Sequence, residues 1–378
     1  MHEITVFSCG DSRSLSTWSN VPYLFTKTLE EKGIRVNRIN ISPNKVLNRI
    51  FNTLSYKIFK RCLRLRTCPE FHRTWMHRYI IYRRIKKATK QYPHSELNLF
   101  LSFAFFNPYS DKPNVLWCDW TDAVVIERLG REPMWYERAS LRHETKVMRK
   151  ADLVYTMFPR CKEQMEKMYG RKICYLNRNV VNTVYKGIFD IDEVIANRMK
   201  SNKILFVGNL LYKDSALQLV SAIALLREKN PQLECHIIGM TEKQLLGERA
   251  KPHWVRCYGY LHKDIEEECN LYYQLILDAR MIVNISSRWA GYSSIVEAMY
   301  YGCPVIVSPF DDFVAEFGLQ IGFGVYCHED DLAQQIFRVL HAEYYVDLCH
   351  SAHKHVKTYT WSNYVGEFLE SVTQNTES

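Results

Sequence analysis

Short apolar runs alternate with amphipathic helical stretches along this chain, and that alternation predicts parallel sheets wound on both faces by helices. In the second half, KILFVGN (203–209), LECHIIG (233–239), VRCYGYL (255–261), RMIVNIS (280–286), PVIVS (304–308) and FGVYC (323–327) read as strands. SALQLVSAIALLREK (215–229), DIEEECNLYYQ (264–274) and DLAQQIFRVLHAEY (331–344) read as helices, and a last amphipathic helix runs from about Ser351. The first half opens with a strand, EITVFSC (3–9), and a serine-rich loop after Gly10. A helix entered at Pro22 and closed at Gly33 follows, then the alternating strand RVNRINI (35–41). LNLFLSFAF (97–105), NVLWCDW (114–120) and ADLVYTMF (151–158) supply further strands, before the helix CKEQMEKMYG and the segment KICYLNRNVV. Residues 182–200 are polar and irregular and read as the interdomain connection. The predicted organisation is a domain over 1–182, a second over 200–350, and a C-terminal helix over 351–378.

Residues 45–90 break the pattern. Lys and Arg crowd this span, Glu70 is its only acid, and Phe51, Tyr56, Phe59, Trp75, Tyr79 and Tyr82 are interleaved. A helix there would have a basic face and an aromatic-aliphatic face. Three readings stand: a solvated surface, docking on an anionic membrane, or a nucleic-acid contact.

Composition narrows the field. The chain has 378 residues, too many for one ordinary core, and 47% hydrophobic against 24% charged residues is a globular balance. A formal net charge of +9 favours an anionic partner. The 12 cysteines include no Cys-x-x-Cys pair and mostly sit in apolar segments, which suits a reducing compartment. Cys349, His350, His353 and His355 come nearest to metal-ligand spacing but lie in a polar helix, so no metal is expected there. The N-terminus has no leader layout and the longest apolar run is far too short to span a bilayer. The expected location is the cytoplasm, or the inner face of a membrane as a peripheral protein.

Ligands of doubly wound sheets bind at the carboxyl ends of strands. Three such ends draw attention. Gly208 and Asn209 lead to Lys213, which could reach a diphosphate or be a solvated loop lysine. Tyr258-Gly259-Tyr260-Leu261 could lie beside a base or be a simple turn. In GYSSIVEAMYYGCPVIVS (291–308), Ser294 and Glu297 have capping-box spacing, with Gly302 and Pro304 as stop signals. The same helix start could instead hold a phosphate while Glu297 takes a sugar hydroxyl.

The series ILFVGNLLYKDSALQLVSAIALL, CHIIG, VRCYGYL and GYSSIVEAMYYGCPVIVS resembles, in order and spacing, the donor half of glycosyltransferase family four. The first half fits more loosely, through SCGDSRS, LEEKG and ADLVYTMF, and the closing YTWSNY resembles the family's last helix, which implies that 351–378 crosses back onto the first domain. The resemblance implies an α/β GT-B fold, two Rossmann-like doubly wound domains facing a central cleft. It implies a retaining hexosyltransferase that moves a sugar from a nucleotide-diphosphate sugar to a saccharide or lipid-linked acceptor, with bacterial surface polysaccharide synthesis as the setting. In its terms Glu297 binds the ribose hydroxyls, and Gly291, Tyr292, Ser293 and Ser294 offer amides to the diphosphate. Lys213, after Gly208 and Asn209, pairs with the phosphates. Tyr260 and Leu261 flank the base, and Gly10 closes over the phosphates. No metal or other cofactor is implied, and no nucleic-acid partner.

The chain departs from the family pattern in three places. Asn209 stands where the family usually has Arg. Trp289, or Ala290 if the loop is one residue short, stands where a second Glu contacts the transferred sugar. Asp119 stands where the first domain often has His, and is either a catalytic group or the N-cap of the next segment. The rival functions are an epimerase or hydrolase of the same fold, and a non-catalytic membrane- or nucleic-acid-binding protein using residues 45–90.

Overall fold

A computed structural model of the chain describes residues 1–65, 67–176, 178–248, 252–286 and 292–376. The chain divides into two units, Met1–Arg178 with Tyr364–Ser378, and Asn179–Asn363.

The first unit runs β1 (Glu3–Ser8), α1 (Val21–Glu31), β2 (Arg35–Asn40), α2 (Lys45–Ser55), α3 (Trp75–Gln91), β3 (Leu97–Leu101), β4 (Asn114–Cys118), α4 (Asp122–Arg128), α5 (Arg138–Lys150), β5 (Leu153–Thr156) and α6 (Pro159–Tyr169). Its strands are all parallel, in the order β2-β1-β3-β4-β5, with Ile4 paired to both Val36 and Leu97. β1 and β3 are buried throughout, as strands covered by helices on both faces must be. Phe7 stacks on Phe100 across this pair at 4.3 Å. The basic span makes more than one helix: α2 passes into a π-helical turn, Tyr56–Cys62, and α3 follows after a loop. Among its described residues KICYLNRNVV adds a single bridge, Cys174 to Tyr155.

The second unit runs α7 (Ile191–Met199), β6 (Lys203–Val207), α8 (Lys213–Leu226), β7 (Glu234–Ile238), α9 (Glu242–Leu246), β8 (Val255–Cys257), α10 (Glu266–Asp278), β9 (Met281–Asn284), α11 (Tyr292–Tyr300), β10 (Val305–Val307), α12 (Asp311–Phe317), β11 (Gly324–Tyr326), α13 (Leu332–Leu340) and α14 (Tyr345–Val356). Its sheet is also parallel, ordered β11-β10-β9-β6-β7-β8. From β6 the chain builds outward through β7 and β8, and from β9 outward through β10 and β11 on the other side. The order therefore reverses between β6 and β9, which is where such sheets open a crevice for ligands.

Two boundaries differ from the sequence reading. Residues 182–200 are not an irregular connection: they belong to the second unit and contain α7. Arg198, fully buried, ties that helix down by donating to the carbonyls of Ile276, Ala279 and Tyr301. The helix expected from Ser351 is two helices, α14 and then α15 (Trp361–Thr376), and from Tyr364 onward the chain belongs to the first unit. Among the described residues no helix is long and apolar enough to cross a membrane.

Candidate functional site

The loops leaving β6, β7 and β8 are pressed together at one edge of the second sheet. Gly208 N donates to Ile238 O at 3.0 Å, Gly239 N to Gly259 O at 2.7 Å, and Gly259 N to Met240 O at 3.1 Å. Gly239 has φ +99°, and a Cβ there would stand 2.5 Å from Gly208 O, so only glycine fits. Asn209 uses its side-chain oxygen to cap the short turn after β6, accepting from Leu211 N at 2.9 Å. That turn delivers Lys213 as the first residue of α8. Lys213 is half-buried and pairs with no carboxylate among the described residues.

On the other side of the reversal, Ile285 N donates to Ser215 Oγ at 2.9 Å, joining the loop after β9 to α8. α11 starts at Tyr292, and Ser294 Oγ lies 3.5 Å from Val207 O at the end of β6. Tyr292, Ser293 and Ser294 are thus the first described residues of a helix set against the reversal, at the end where the helix dipole is positive. Gly291, with Trp289 and Ala290, falls outside the described residues. Asn284, ending β9, was not foreseen. Its Oδ1 accepts from Ser286 N, while its buried Nδ2 has no hydrogen-bond partner among the described residues, a condition rare enough to need a cause.

Glu297 corrects the capping-box expectation. The box requires Ser294 outside the helix, but Ser294 is already in its first turn. The Glu297 side chain turns instead to distant residues and is 3% exposed. Lys263 Nζ donates to both of its oxygens, at 2.8 and 3.0 Å. Tyr272 OH donates to Oε2 at 2.8 Å and Tyr273 OH to Oε1 at 3.1 Å. Burial and then the Glu297 charge push both phenols well above the usual tyrosine range, so both keep their protons and donate. Lys263 also lies over the Tyr272 ring at 4.2 Å and donates to Asn182 O at 3.3 Å. Lys263 lies two residues beyond Leu261, where the strand-end motif Tyr258-Gly259-Tyr260-Leu261 ends. The adjacent tyrosines of α10 read in the sequence only as part of a helix. Of the pair expected beside a base, Leu261 is buried and Tyr260 exposed, its ring edge-on to His262.

Gly10 and Asp119 belong to the first unit. Gly10 follows β1 with φ +121°, its N–H directed at Asn40 Oδ1 at 3.3 Å. Asp119 follows β4 and accepts from Trp120 N at 2.8 Å and Cys118 Sγ at 3.1 Å. Burial raises its carboxyl above the ordinary aspartate range. It is not an N-cap: Thr121 caps α4, accepting from Val124 N at 3.2 Å.

Residues 188–357 match the family model described as glycosyl transferases group 1. A sequence comparison with curated proteins gives no match. Among solved structures, sucrose-phosphate synthase from Thermosynechococcus elongatus superposes with a TM-score of 0.70 at 15% identity, over 99% of each chain. WaaG, a glycosyltransferase involved in lipopolysaccharide biosynthesis, gives 0.61 at 14% identity, over 94% of this chain and 95% of its own. Anabaena HepE in complex with UDP and glucose gives 0.59 at 14% identity, over 98% and 100%. At such identities the likeness shows the fold, and the family model adds a sequence match that lies within the second unit. Residues 188–357 are therefore similar to the glycosyl transferases group 1 model, in a chain with the GT-B fold that the family-four resemblance implied.

Proposed function

We propose that the protein is a retaining hexosyltransferase, moving a sugar from a nucleotide-diphosphate sugar to a saccharide or lipid-linked acceptor in bacterial surface polysaccharide synthesis. One observation carries the reading: the group 1 match contains an acid, Glu297, on the helix that opens at the β6/β9 reversal. In this reading Glu297 takes the ribose hydroxyls and the first-turn amides of α11, from Tyr292, Ser293 and Ser294, take the diphosphate with Gly291. Lys213 neutralises charge as it develops on the leaving diphosphate, and preorganised help of that kind is commonly the largest catalytic contribution. Gly208 and Asn209 bring the β6 loop to the nucleotide, and Tyr260 and Leu261 flank the base. Gly10 and Asp119, in the first unit, keep the roles that the family-four resemblance implies for them. No metal is required, because amides and a lysine do the neutralising. With Trp289 or Ala290 in place of the sugar-contacting acid, the sugar is held by other groups. A lipid-linked acceptor would place the enzyme at an anionic membrane surface, met through residues 45–90.

The test is thermal unfolding with a panel of nucleoside diphosphates and nucleotide sugars, on wild type and Glu297→Gln. HepE, solved with UDP and glucose, makes UDP the first probe. A ligand at a hundredfold its Kd stabilises by about 2.7 kcal/mol. One nucleotide should raise the wild-type Tm and leave the variant unmoved. A panel with no shift at all sinks the donor site. Donor consumption without a saccharide acceptor would turn the reading to a hydrolase or epimerase.

A further inference from the structure

Surface helices normally bury their apolar stripe. α2 does the reverse. Val46, Ile50 and Leu54, spaced four apart on one side of the helix, are 66%, 55% and 55% exposed. Leu47 lies beside them, and Ile58, exposed too, carries apolar surface into the π-helical turn. The inward side is held largely by polar contacts. Asn52 Oδ1 accepts from Phe71 N at 2.9 Å, and buried Ser55 donates from Oγ to Pro69 O at 2.6 Å. Phe51, against Phe71, is the apolar part of that contact.

The charges around the stripe are of one sign. Lys45, Arg49, Lys57, Arg61 and Arg64 are exposed and form no ion pair among the described residues. Glu70, the span's only acid, is already beside His72 and Arg73. An aliphatic stripe bordered by unpaired cations matches a surface that offers hydrocarbon below and negative charge above. Nucleic acid supplies the charge, but its bases stack on aromatic rings and gain little from valine, leucine and isoleucine. A protein groove would have to supply many acids at once.

We propose that α2 and its π-helical continuation lie in the interface of an anionic lipid bilayer, with Val46, Leu47, Ile50 and Leu54 among the acyl chains and the surrounding lysines and arginines among the headgroups. This narrows the membrane part of the proposed function to one helix face. It uses nothing from the nucleotide site, so the two readings fail separately.

The test is flotation of the full chain with phosphatidylcholine vesicles, with and without phosphatidylglycerol. The variants are I50D/L54D and K57E/R61E. All four positions are exposed, so far-UV circular dichroism and Tm should match wild type, and UDP stabilisation should persist. Wild type should float with the anionic vesicles and stay below with the neutral ones. Each double variant should lose at least about tenfold in partitioning. Wild type remaining below with anionic vesicles overturns the proposal, and so does undiminished flotation of I50D/L54D. A wild-type dimer that I50D/L54D converts to monomer, without flotation, would assign the face to a second copy. Salt-sensitive binding to single-stranded nucleic acid in place of vesicles would assign it there.

Discussion

Lys263 supplies two of the four hydrogen bonds received by Glu297, and the two tyrosines of α10 supply the others. A carboxylate offers about four lone-pair positions, so this one is full. A ribose diol needs two of them. Lys263 holds two, and its side chain is 12% exposed, more than that of Glu297. The arithmetic makes Lys263 a placeholder that a ribose exchanges with, if Glu297 is the ribose ligand. Lys263→Met should then enlarge the thermal shift produced by UDP, although it weakens the unliganded protein. Removing one partner of a buried pair typically costs about 3–5 kcal/mol. The double variant K263M/E297Q should cost less than the sum of the single changes. A smaller UDP shift in Lys263→Met would make the lysine part of the ligand's own binding. The Ser294–Glu297 spacing gave no hint of this arrangement. Capping-box spacing is local, whereas the groups that claimed the carboxylate lie at 263, 272 and 273.

At the scale of elements, α4 shows how one buried acid can make a helix start pH-sensitive. Glu144, from α5, accepts from Asp122 N at 2.7 Å, Ala123 N at 3.2 Å and Tyr169 OH at 2.7 Å, while Thr121 serves the third amide of the turn. Burial, with the Asp122 charge next, pushes its carboxyl from the ordinary 4.5 to about 7. A raised folded value means a stabilising contribution that is complete below 4.5 and lost as pH rises through 7. The loss amounts to about 3 kcal/mol across that window. Urea unfolding between pH 5 and 8, on the order of one point per pH unit, should show the first unit weakening in wild type and much less in Glu144→Gln. Equal slopes would place the dependence on other groups. Neither α4 nor α5 was legible in the sequence. α4 is only seven residues long and α5 is charged on most faces, RASLRHETKVMRK. The strands were legible because burial on both sides leaves them as apolar runs. Their ends were read one to four residues too long, as with VRCYGYL against Val255–Cys257. α7 did carry readable signals, Ile191, Val194 and Ile195 at helical spacing behind an Asp190 N-cap, but the acids, asparagine and arginine between them made the segment read as polar, and its buried Arg198, held by carbonyl partners, gave no apolar signal.

For the whole molecule, the consequence of the chain path is that the first unit cannot be completed until the last helix is made. Tyr364, Val365, Phe368 and Val372 sit in its core. Trp117 Nε1 donates to Tyr364 OH at 2.8 Å, and Tyr155 OH meets Ser371 Oγ at 2.8 Å. The Phe368 ring stands 5.2 Å from Phe25 and 5.1 Å from Tyr155, fully buried. Arg178, the last residue before the chain enters the second unit, pairs with Glu367. The second unit is one continuous stretch, and its sheet and α8 bury a separate apolar cluster around Ile204, Phe206, Leu219 and Ile237. Two cores of this kind should lose stability independently. Phe368→Ala leaves a cavity in the first core and should cost about 3–5 kcal/mol there. Native-state hydrogen exchange resolves where that cost falls, since amides report the opening of their own cooperative unit. The expected result is faster exchange in β1, β3, β4 and β5, with β6, β7 and β9 at wild-type protection. Faster exchange spread equally over both sheets would mean that the two units unfold as one block, despite the 189 positions of sequence between Arg178 and its partner Glu367.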